Sequence, residues 1–104
     1  MYKIINRSQE IAKKHLKSFG FEEEDIRPLI TQATKDLEEN LARLQEQLAS
    51  SVVDREAVSG TLHALKGLLF QLGNSSVAEE IKELRMDIDS PESIAMITAL
   101  LLTE

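Results

Sequence analysis

One stripe of apolar residues limits what this chain can become: Ile26, Ile30, Ala33, Leu37, Leu41, Leu44 and Leu48, separated only by steps of three and four. That spacing lines all seven along one side of an α-helix. A long helix with a single apolar stripe is marginal in water, and its stripe must be covered by other helices with stripes of their own. The rest of the chain supplies them, and no strand-like alternation interrupts. Ile4, Ile11, Leu16 and Phe19 belong to a first helix, from about Lys3 to Ser18, which Gly20 stops. Glu22, Glu23, Glu24 and Asp25 set negative charge at the start of the second, with Pro28 expected in its first turn. Asp54 reads as the N-cap of a third helix, closed by Gly73 and Asn74. Ser76 with Glu79 reads as the capping box of a fourth, carrying Val77, Ile81, Leu84 and Ile88. Ser90 and Pro91 open a fifth, with Ile94, Ile97, Leu100 and Leu101.

Short connections between amphipathic helices make neighbours antiparallel. The expected fold is therefore all-α, a single domain over residues 1–104. Residues 22–104 form an antiparallel up-down four-helix bundle, and residues 1–20 an additional N-terminal helix across one end. At 104 residues there is room for one core.

Composition removes several function classes. Eighteen acidic residues against 12 Lys and Arg argue against a general nucleic-acid binder. The absence of cysteine excludes disulfides and thiolate metal sites and suits a reducing cytoplasm. Residues 1–7 hold no apolar core with a cleavage site, and residues 94–102 fall short of the roughly 20 needed to span a bilayer, so no membrane insertion is expected. The start at Met1 and the close at Glu104, straight after the last helix, read as a free-standing protein or as a piece trimmed from a larger one. Two distant histidines without a His-x-x-x-His pair make no metal site, and no Walker-type loop binds ATP. Lys3, Arg7, Lys13, Lys14 and Lys17 face only Glu10 in the first 20 residues. They read as a solvated basic helix on an acidic bundle, or as a surface for an acidic partner or membrane. His15, among those lysines, reads as a surface histidine.

Chemistry concentrates on the third helix. At about 100° per residue, Val58, Leu62, Leu65, Leu68, Leu69 and Leu72 occupy one arc, and His63 lies opposite with Ser59, Gly60, Lys66, Gly67 and Phe70. Glycine costs a helix interior roughly 1 kcal/mol relative to alanine. Two of them beside one exposed imidazole clear a path for another macromolecule. An imidazole is largely neutral at cellular pH, so one ring nitrogen has a lone pair for attack. Lys66, one turn on, supplies the positive charge that a phosphoryl group there needs. Phe70 reads as an exposed docking contact or as a residue covered by the N-terminal segment.

His63, Leu65, Lys66, Gly67, Leu72 and Gly73, followed by the amphipathic segment 77–85, resemble the histidine phosphotransfer (HPt) domain family over most of the chain. The resemblance implies a phosphoryl carrier in a two-component phosphorelay. His63 would exchange phosphate with aspartates of response-regulator receiver domains, upstream or downstream of a sensor or hybrid histidine kinase. It also implies no cofactor on this chain, Mg²⁺ on the partner receiver domain, and no ATP-dependent kinase activity. Small residues often follow the glycine in the family; here they are Leu68, Leu69 and Phe70. The family often carries Glu or Gln 22 residues after the histidine, where this chain has Arg85. An arginine has no acceptor, so Arg85 is expected to contact phosphate or to turn outward as a plain surface residue. Two other readings share the surface: a non-catalytic helical adaptor for receiver domains, and the phospho-accepting domain of a larger hybrid or chemotaxis-type kinase.

Overall fold

The apolar stripe of residues 26–48 becomes the inward face of a 27-residue helix in the computed structural model, which describes residues 2–104. Among the described residues five α-helices follow in order: α1 Lys3–Ser18, α2 Glu23–Ala49, α3 Arg55–Gln71, α4 Ser75–Met86 and α5 Pro91–Leu101. The fold is all-α, with no strand among the described residues. On α2, residues Ile26, Ile30, Ala33, Leu37, Leu41 and Leu44 are buried. They share one core with Val58, Leu62, Leu65 and Leu69 of α3, Ile81 of α4 and Ile97 and Leu101 of α5. Leu68, expected in the leucine arc, is only half-buried at the edge of α3.

α3 has α2 on one flank and α4 on the other. α1 runs alongside α2 in the opposite sense, rather than only across one end. Tyr2 Oη donates to Gln45 Oε1 near the end of α2, and Gln9 Nε2 donates to Thr34 Oγ1 in its middle (3.1 Å). Lys3 N donates to Thr103 O (2.9 Å), which ties the start of α1 to the end of the chain.

The helix ends show which local signals prevailed. Asp54 caps α3 by accepting from Ala57 N at 3.1 Å, and Ser90 caps α5 by accepting from Ser93 N at 3.4 Å, both as expected. Ser90 Oγ also donates to Glu92, and this bond, with a backbone one, holds the Glu92 carboxyl below its ordinary range. The Ser76–Glu79 capping box does not form. Asn74 caps α4 instead, its Oδ1 accepting from Val77 N (3.5 Å) while its Nδ2 donates to Ser8 Oγ (3.2 Å). The buried bond to α1 pins Asn74, and the helix starts two residues early. α4 then ends at Met86, leaving Ile88 in the following turn, where its carbonyl accepts from Arg55. Pro28 lies in the second turn of α2, not the first, because the helix opens at Glu23. The bond it cannot donate would have gone to the carbonyl of Glu24, an exposed residue that water can serve.

Gly73 closes α3 with φ +84°, and a Cβ built there would stand 2.8 Å from His15 Cγ. That ring is held edge-on to Phe19, with centroids 5.0 Å apart. Gly20 has the same φ with nothing within 4 Å. Gly20→Ala is therefore expected to lose only the left-handed strain, about 1–2 kcal/mol. Gly73→Ala should lose measurably more in urea or thermal unfolding, and His15→Ala should recover part of the difference, since it removes the ring but keeps the His15 Cβ, 3.0 Å from the new methyl. Equal losses at the two glycines would remove the histidine contact from the explanation.

Candidate functional site

The roll of α3 is set by its core. Leu62, Leu65 and Leu69 are fully buried, so the opposite face, with His63, Gly60, Gly67 and Phe70, stands open to solvent. An added Cβ at Gly60 or Gly67 would meet nothing within 4 Å. Neither glycine makes room for a neighbouring helix of this chain. Ser59 and Lys66 are half-buried at the margin of the same face, toward α4. Phe70 is 40 % exposed, so the N-terminal segment does not cover it.

Arg85 does not turn outward. From α4 its Nε donates to Ser59 O (3.1 Å) and Ser59 Oγ (3.3 Å), and its Nη1 lies 3.4 Å from His63 Nδ1. The structure thus joins Ser59, His63 and Arg85. The resemblance had set Arg85 beside His63 by its distance of 22 residues; that Ser59 would hold it had no local signal, because that depends on how α4 is phased against α3.

Two residues of α2 escaped the sequence reading. Asp36 and Asn40 form the other wall of a shallow groove, facing His63, Gly67, Leu68 and Gln71. Asn40 Nδ2 donates to the Asp36 carbonyl (2.9 Å), while its Oδ1 is buried without a hydrogen-bond partner. The available signal was their spacing of four, beside Leu37 and Leu41 on the edge of the buried stripe.

His15 lies away from this face, exposed against Gly73 and Phe19. Lys13, Lys17 and Arg27 line a separate cavity between α1 and α2, with Gln9 and Glu23. Among the described residues, no group of three or more His, Asp or Glu could hold a metal ion. No helix there is long and apolar enough to cross a membrane. The arrangement offers one accessible imidazole on a rigid helix, with open backbone beside it and two cationic side chains at its margin. Comparison with family models, with curated proteins and with solved structures gave no match.

Proposed function

We propose that this chain is a phosphoryl carrier of the HPt kind, and that His63 accepts phosphate from an aspartyl phosphate of a receiver domain and returns it to another. In this reading residues 22–104 form the up-down four-helix bundle of such domains, with α1 as the additional helix. The partners are receiver domains, which bring Mg²⁺, and a sensor or hybrid histidine kinase, in the cytoplasm. The observation that carries the reading is the unfilled space at Gly60 and Gly67 around an exposed His63. Two helix-weakening residues that serve no internal packing make sense if the face must be approached closely from outside. Phosphoryl transfer depends mainly on positioning and charge stabilisation. A rigid helix that presents one ring, with the acidic pocket and metal on the partner, meets that need.

The test is incubation with a labelled phospho-receiver and Mg²⁺. The expected product is an acid-labile, base-stable label on this chain, and ATP alone should give none. A second reading, a receiver-binding adaptor, is favoured by Phe70 and Leu68 exposing apolar surface beside His63. It predicts a stable complex with the receiver and no label.

Lys66 gives a finer check. If its ammonium steadies the phosphoryl oxygens, Lys66→Ala should slow transfer about two- to fivefold at low salt, as a solvent-screened charge contact below about 1 kcal/mol at the half-buried margin allows. The slowing should shrink as salt is raised, and Lys66→Arg should keep most of the rate. Equal initial rates for all three proteins would make Lys66 an ordinary surface lysine.

A further inference from the structure

We infer that Arg85 is a positioning residue that keeps His63 in the unreactive tautomer, so that both loading and discharge wait for the guanidinium to let go. The gating rests on the phosphoryl-carrier reading above; the tautomer does not. A guanidinium stays protonated and offers donors only. Its Nη1 at 3.4 Å from Nδ1 therefore requires the lone pair on Nδ1. A neutral imidazole has one N–H, which must then sit on Nε2. The clamp is directional, because Ser59 O and Oγ both hold Nε and so aim the fork at the ring.

In that tautomer neither nitrogen is ready to attack. Nε2 carries a hydrogen, and the Nδ1 lone pair is covered by Arg85. With Nδ1 turned to the Arg85 fork, Nε2 is the nitrogen left to meet a partner, so transfer needs the lone pair on Nε2 and the N–H on Nδ1. The Nε2–P bond then forms as the bond between phosphorus and the aspartyl oxygen breaks. The bonding electrons leave with the carboxylate, the ring becomes cationic, and Nδ1 releases its proton to water to give the neutral phosphoramidate. Discharge is the reverse: Nδ1 must be protonated before the imidazole can leave. A cation donating into Nδ1 opposes the charged ring in both directions. The resting and phosphorylated rings each offer Nδ1 as an acceptor, so the equilibrium between them changes little. Arg85 thus lengthens the life of the phosphohistidine until a docking partner with acidic groups draws the guanidinium away.

The experiment compares wild type, Arg85→Ala and Arg85→Gln. Gln can turn its oxygen to Nδ1–H, whereas Ala merely removes the donor. Long-range ¹H–¹⁵N spectra at a pH where the ring is neutral should show His63 as the Nε2–H tautomer in wild type and Nδ1–H in Arg85→Gln. Loading from a phospho-receiver and discharge to an unphosphorylated one should both accelerate in Arg85→Gln, by at least about tenfold, a fraction of the roughly 100-fold or more that a well-placed proton contributes. Arg85→Ala should fall between. The ratio of the two rates should stay nearly constant. An Nδ1–H ring in wild type, an unchanged tautomer in Arg85→Gln, or rates that fall with stability would each overturn the inference. A tautomer shift with no labelling of any of the three proteins would instead sink the phosphoryl-carrier reading, and the gating with it, while the Arg85-set tautomer stood.

Discussion

Replacing His63 with glutamine is expected to abolish phosphoryl acceptance while moving the melting temperature by no more than about 4 °C. The stability half follows from the surroundings of the ring. His63 is exposed, its hydrogen-bonding partner is Arg85, and a glutamine oxygen can accept from the same Nη1. Exposed substitutions of this kind stay within about 0.5 kcal/mol, and for a domain near 100 residues 1 kcal/mol is roughly 4–8 °C. The chemical half follows from the lack of a substitute. There is no cysteine in the chain, and the other imidazole, His15, lies against Gly73 and Phe19, away from the open face. The measurement is label transferred from a phospho-receiver, followed by acid and base treatment of the product. Undiminished acid-labile label on His63→Gln would assign the acceptor to His15. A base-labile label would point to a carboxylate, and Asp36 in the neighbouring groove would be the first candidate.

The helices were readable in the sequence because periodicity and caps agree there. Ile26 to Leu44 repeat at helical spacing, and Asp54 and Ser90 each cap the helix they precede. The open face of α3 was readable for the same reason, since the leucines opposite His63 fix its roll. What escaped depends on contacts between elements distant in sequence. Asn74 replaced Ser76 as a cap because Ser8, from α1, holds its amide. α1 lies along α2 because Tyr2 and Gln9 find Gln45 and Thr34, which no local pattern announces. Arg85 is the clearest case. The resemblance placed it on the helix after His63, but whether its long side chain reached inward or outward depended on Ser59 offering two oxygens one turn before the ring.

Gly67→Gln is expected to drive stability and transfer in opposite directions. Glutamine is the better helix former by somewhat under 1 kcal/mol, and the open space at Gly67 means its side chain displaces nothing in this chain. Thermal unfolding should therefore shift upward by a few degrees. Transfer from a phospho-receiver should nevertheless fall about 100-fold, since displacing reactants by 1 Å can cost that much and the new side chain stands one turn from the attacking ring. The loss should be graded: slight for Gly67→Ala, whose methyl stays close to the backbone, and large for Gln. Gly60→Gln, one turn to the other side of His63, should behave in the same way, because its Cβ position is equally empty. Binding of the receiver separates clearance from chemistry. If the glutamine holds the partner away, affinity and rate fall together; if only the final approach is blocked, the complex forms and the phosphoryl group stays on the aspartate. A variant that lost stability and transfer in step would make Gly67 a packing residue after all and remove the main support for an approachable His63. Opposed shifts at both glycines would mean that the chain forgoes helix stability on this one face to keep the ring within reach of a partner.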